Sequence, residues 1–166
     1  MAIYHFVTGA PGSGKSTVVG ELLQLETPFI VFDIDWLADA AGELAGTSIY
    51  LDPAAGKPYL KLWFEVIKSI LRNGQKAVFF TPVDRSDVAE ALGETEAASV
   101  RWLLLDCDDE EREKRLRRRQ GWTEARIREA LEDGRLLRRE GMRRVDTDDK
   151  TPREVAREVM KWATEP

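Results

Sequence analysis

The sequence predicts an α/β domain, a mostly parallel sheet with helices on both faces, and three observations predict it. Short apolar runs alternate with longer stretches of helical period; the first run opens into a glycine-rich turn and then a helix; and 166 residues, 43% hydrophobic and 33% charged, suit one core rather than two. Strands are expected at 3–8, 29–33, 76–81, 100–106 and 143–146. Helices are expected at 15–25, 36–45, 58–73, 85–92, 109–119, 123–140 and 152–163. Leu62, Val66 and Ile70 mark the core-facing stripe of the third helix, and Val155, Val159 and Trp162 that of the last. Asn73-Gly74 stops a helix, Thr123 is placed to cap one after Gly121, and Pro152 suits a first helical turn. The stretch 46–58 reads as a loop, and with no repeat or low-complexity linker the chain is expected to be a single domain over 1–166.

Composition excludes several function classes. No apolar run approaches the roughly 20 residues of a membrane span, and MAIYHFVTGAPGSGKST has neither a basic leader nor an apolar signal core, so a cytoplasmic chain without membrane contact is expected. A lone cysteine, Cys107, excludes an internal disulfide, and a lone histidine, His5, excludes a histidine metal cluster or a Ser-His-Asp triad. The net charge of -5 argues against general nucleic-acid binding, yet six of the eight residues from Arg112 to Arg119 are basic.

Gly9-Ala-Pro-Gly-Ser-Gly14-Lys15-Ser16 satisfies G-x-x-x-x-G-K-[ST], between the first apolar run and a helix, where that motif belongs. Gly9, Gly12 and Gly14 let the backbone curl so that successive amides face one point, at the positive end of the helix. Gly9, Gly12, Ser13, Gly14, Lys15, Ser16 and Thr17 are therefore the nucleotide-binding set, with Lys15 on the β and γ phosphates and the Ser16 hydroxyl on Mg²⁺. ATP is the expected nucleotide, because the second half has no NKxD-like tetrapeptide to read guanine.

Asp33-Ile-Asp35 closes the second strand, at the carboxyl edge where open α/β sheets hold their ligands. If the strand continues that far the two carboxylates share a side; Asp33 then organises Mg²⁺ and Asp35 accepts a proton from a hydroxyl. The alternative is that Asp35 only caps the helix that follows. Arg112, Arg115 and Arg119 share one helical face with Arg118 beside them, and Arg126 opens the next helix, so a lid over residues 112–126 would carry guanidinium groups to the phosphates. Arg112 is expected on the nucleotide, Arg115 and Arg119 on the transferring group. Pairs such as Glu111 with Arg115 give the competing reading of a solvated helix. The loop Asp146-Thr-Asp-Asp-Lys150-Thr-Pro152 can border the adenine, with Lys150 on the nucleotide.

With the glycine loop, the Asp33-x-Asp35 pair, the RLRRR segment and the VDTDDKTPREV loop, the chain resembles the P-loop kinases of the nucleoside, nucleotide and shikimate kinase group over essentially its whole length. Ile34-Asp35-Trp36-Leu37 is also similar to the strand-two segment of chloramphenicol phosphotransferase, whose aspartate deprotonates a hydroxyl acceptor. The resemblance implies a three-layer fold on a five-stranded parallel sheet in the order 2-3-1-4-5, ATP and Mg²⁺ as cofactors, and an arginine-rich helical lid. Strand three ends Phe79-Phe80-Thr81-Pro82, without the glycine run of shikimate kinases or an acidic Walker B residue.

Residues 34–56 contain no Arg or Lys, so a phosphate-bearing acceptor is poorly served unless Lys57, Lys61 or Arg85 turn inward. An uncharged or cationic small-molecule alcohol fits better, met by Asp35, Trp36, Asp84 and Arg85, with Tyr50, Tyr59 and Trp63 available to stack on a ring. The leading expectation is a small-molecule kinase. A nucleoside monophosphate kinase is second, and a nucleotide-dependent switch ATPase is the reading from another class.

Overall fold

The computed structural model describes residues 3–93 and 98–166. The strands are β1 (Tyr4–Thr8), β2 (Ile30–Asp33), β3 (Ala77–Phe80), β4 (Val100–Asp106) and β5 (Arg143–Asp146). The helices are α1 (Lys15–Leu22), α2 (Ala38–Ala45), α3 (Pro53–Arg72), α4 (Arg85–Leu92), α5 (Asp109–Arg117), α6 (Glu124–Arg139) and α7 (Pro152–Thr164), with a 3₁₀ turn at Ile34–Leu37 before α2. The strands form one sheet in the order β2-β3-β1-β4-β5, as expected, with β2 parallel to β3 and β4 parallel to β5. No helix among the described residues is long and apolar enough to cross a membrane.

The chain divides into two compact units, Met1–Phe6 with Phe29–Arg101 and Val7–Pro28 with Trp102–Pro166. In the first, β2 and β3 pair from Ile30↔Ala77 to Asp33↔Phe80, which aligns the ends of both strands. Its core is aromatic: Phe6 stacks on Phe64 at 5.7 Å, and Trp63 packs on Phe32 and Phe79. In the second unit β4 and β5 pair up to Asp106↔Asp146. There α1 packs on α7, with Val18, Val19 and Leu22 buried on one helix and Val155, Val159 and Trp162 on the other.

Two expectations about the third long helix need correction. It begins at Pro53, inside the segment read as a loop, because Asp52 caps it by accepting the Ala54 N–H at 2.9 Å and proline suits the first turn. Its core face is Tyr59, Leu60, Trp63, Phe64 and Ile67, while Leu62 and Val66, the expected stripe, are 66% and 42% exposed. The other caps fall where the residues called for them, at Asn73, Thr123 and before Pro152.

His5 is buried in β1, and its pKa is lowered to about 4 by loss of water and then by the charges of Arg101 and Lys76. The fold keeps the proton off, so as pH drops from 6.5 towards 4 the unfolded chain gains a proton that the native state refuses. Stability should therefore fall over that window, by about 2 kcal/mol at pH 5. Urea unfolding of wild type and His5→Phe at pH 7 and pH 5 checks this: the variant gains relative stability at pH 5.

Candidate active site

The glycine loop lies in the second unit, where the carboxyl end of β1 turns into α1. Gly12 and Gly14 have φ of +84° and +92°, a region that side chains rarely adopt. At Gly9 the constraint is space: a Cβ would run into the Leu105 carbonyl oxygen and lie 2.6 Å from Ser13 Oγ. Gly14 caps α1 with no side-chain hydrogen bond, and the first turn of α1 has no acidic residue. By contrast, Asp52, Asp84, Thr123 and Thr151 cap α3, α4, α6 and α7 with their side chains. No side chain caps α1, and a helix start of that kind is the arrangement that receives a phosphate. The Lys15 ammonium folds onto the Gly9 carbonyl, within the loop, and the residues Ser16 and Thr17 are exposed on the first turn.

Two expected phosphate ligands have other positions. Arg112 is 0% exposed: Nη2 pairs with Asp106 at 2.5 Å and Nη1 donates to the Pro11 carbonyl at 2.8 Å, so its charge supports the loop from beneath. Asp106, the last residue of β4, also takes Arg138 Nε at 2.6 Å and Arg144 Nη1 at 3.3 Å. Gly134 of α6 makes room, since a Cβ there would meet the Arg112 guanidinium at 3.0 Å. The expected nucleotide contact from Arg112 is corrected accordingly. Leu116 is buried with Ile127, and Arg126 lies over the Trp122 ring, 4.7 Å from its centroid.

Arg115 is partly committed. Its Nε donates to Glu111 at 2.9 Å, Nη1 to Thr147 Oγ1 at 2.9 Å and to the Gly12 carbonyl at 3.3 Å, and Nη2 to the Thr147 carbonyl at 2.9 Å. Thr147 in turn donates to the Ser13 carbonyl at 3.2 Å, joining the β5 loop to the glycine loop. That threonine was not singled out in the sequence, although it lies in the loop expected beside the adenine. The Arg119 guanidinium has no side-chain partner among the described residues, and it faces a cavity of about 330 Å³ with Gly12, Gly14, Thr17, Arg115 and Lys150. Lys150 also pairs with Glu158 at 2.7 Å.

The first unit holds the residues expected to meet an acceptor. Its strand does not continue to Asp35: β2 stops at Asp33, whose Oδ1 accepts the Asp35 N–H at 3.0 Å and caps the 3₁₀ turn. Asp33 is buried and Asp35 exposed, so the pair does not share a strand face, and the capping aspartate is Asp33 rather than Asp35. The Tyr50 hydroxyl donates to Asp35 Oδ1, a partner that spacing alone did not reveal; burial first, and then this bond, raise the tyrosine pKa above its usual value. Trp36 is 47% exposed beside Asp35, whereas Tyr59 and Trp63 are buried in the core. Asp84, expected on the substrate, instead caps α4, accepting from Ser86 N at 2.8 Å and Asp87 N at 2.9 Å; Arg85 is exposed at the first position of that helix. No group of three or more His, Cys, Asp or Glu among the described residues could hold a metal.

The AAA domain family matches residues 5–139. The chain belongs to that family. No curated protein matches this AAA domain significantly. Among solved structures, its fold is similar to the tunicamycin resistance protein of Deinococcus radiodurans, with a TM-score of 0.70 and 17% identity over 100% of this chain and 98% of that one. It is also similar to a sugar kinase from Janibacter, with a TM-score of 0.65 and 20% identity over 98% and 94% of the two chains. A shikimate kinase from Acinetobacter baumannii gives a TM-score of 0.61 and 17% identity over 98% and 93%.

Proposed function

We propose that this chain is an ATP-dependent phosphotransferase that moves the γ-phosphate to a hydroxyl of an uncharged or cationic small molecule. The observation that carries the reading is the N-terminus of α1, which no side chain caps, behind the left-handed Gly12 and Gly14 and beside a cavity lined by Arg119 and Lys150. The likeness to structures titled sugar kinase and shikimate kinase supports it. The amides of the loop and Lys15 hold the β and γ phosphates, and Arg119 adds charge as the transferring group spreads its own. The Ser16 hydroxyl, exposed on the first turn of α1, would hold Mg²⁺, which would neutralise the outer phosphates.

Asp35 takes the proton of the acceptor hydroxyl; the freed oxygen forms a bond to the γ-phosphorus, the bond from that phosphorus to the bridging oxygen breaks, and ADP leaves. Tyr50 occupies one carboxylate oxygen and orients the group. Asp35→Asn is expected to lower kcat about 10²–10⁴-fold. Since Asp33 carries the cap, the variant keeps its fold, and near-normal turnover would rule out Asp35 as base.

A panel of nucleosides, nucleotides, sugars and aminoglycosides with ATP and Mg²⁺ tests the whole reading: acceptor-stimulated ADP release with a phosphorylated product supports it. A second reading, a switch ATPase, is favoured by the exposed Leu44 and Leu51, which a protein partner could cover. Hydrolysis indifferent to every acceptor would select that reading.

A further inference from the structure

In the first unit, α2, the 46–52 connection and the first turns of α3 border an open groove of about 520 Å³, a size that accommodates small molecules. Its walls include Ala41, Leu44, Ala45, Ile49, Ala55 and Leu62, and no Lys or Arg lines it. Lys57, on the same stretch of α3, is drawn to Glu90 at 2.9 Å. Three polar residues also line it: Asp52 caps α3, the Tyr59 hydroxyl donates to the Ile34 carbonyl, and Thr47 adds a hydroxyl. Leu44 is 92% exposed, so an apolar wall faces water and gains by losing it.

The groove is tied to the proposed base from two sides. Tyr59, part of the lining, bonds to Ile34, the residue before Asp35; Tyr50, the residue after the lining Ile49, bonds to Asp35 itself. The alanines with Leu44, Ile49 and Leu62 make most of the groove aliphatic, which matches a flexible hydrocarbon chain better than a charged body. We infer that the acceptor is an amphiphilic alcohol: a hydroxylated, uncharged head at Asp35 and an aliphatic tail along α2 and α3. This inference rests on the kinase reading above and names its substrate class.

The test uses n-alkyl β-D-glucosides with tails from methyl to octyl, kept below micelle formation and titrated into ¹⁵N-labelled protein. Amide shifts should concentrate at residues 41–62, and affinity should rise about threefold to fourfold per added methylene, the increment for a buried CH₂. Ala41→Trp, which fills the slot, should flatten that dependence and weaken octyl binding at least tenfold, while a dispersed spectrum shows that the variant is folded. Affinity that does not change with tail length, shifts that fall elsewhere, or self-association of the chain through Leu44 in place of glucoside binding would each overturn the inference. Short polar alcohols phosphorylated without graded binding would sink the tail and leave the kinase standing. Graded binding with no transfer to any alcohol would sink the kinase, and the acceptor role with it.

Discussion

Lys15→Ala is expected to leave a folded protein that neither holds ATP nor turns it over, with kcat/KM for ATP at least about 10²–10³-fold lower. The reason is position: the ammonium lies against the Gly9 and Ala10 carbonyls, within the loop itself. No other cation extends from the loop residues 9–17. Calorimetry with MgATP and an ADP-release assay on wild type and variant provide the measurement. Full turnover by the variant would remove the phosphate-binding assignment and everything built upon it.

The largest effect on stability is expected from Asp106→Ala, about 3–5 kcal/mol by denaturant unfolding. Asp106 is 1% exposed and is the counter-ion of the fully buried Arg112, whose charge would be stranded by the change. Arg138 and Arg144 keep Asp109 and Asp146 respectively. The cost is thus that of one unpaired guanidinium, and it can be separated from simple loss of packing. Adding Arg112→Met to Asp106→Ala removes the stranded charge and should recover part of the loss. A double variant less stable than Asp106→Ala would show that Arg112 matters for its shape and its bond to Pro11 rather than for its charge.

The parts of this molecule legible in its sequence are those dictated by local chemistry. The glycine loop, the five strands and the proline and threonine helix starts follow from backbone constraints that act within a few residues, and the sheet order came with the resemblance. What was hidden depends on partners distant in the chain. Arg112, Arg115 and Arg119 are alike as a spacing pattern, but Arg112 lies four residues before the buried Leu116 and six after Asp106. Those two neighbours would have pointed it inward. The pattern Leu62, Val66, Ile70 misleads because α3 is apolar on two sides, with the bulky aromatic side taken by the core and Leu62 and Val66 left exposed. Asp33 and Asp35 were treated as strand residues, yet an aspartate whose side chain can accept the N–H two positions on readily ends a strand in a tight turn. Pro53 and Pro58 disguised the start of α3, since a pair of prolines resembles a loop until Asp52 is recognised as the cap.

The anchoring of α5 restricts how the arginine segment can move. With Arg112 and Leu116 locked into the interior and Ile127 gripping the far side, a flap that hinges at the root of the helix would have to tear a charge out of its socket. Travel is left to the short bridge from 118 to 123, which carries Arg118 and Arg119. In the proposed kinase, closure over a nucleotide is then a local tightening of one bend, a small stroke that leaves the scaffold at rest.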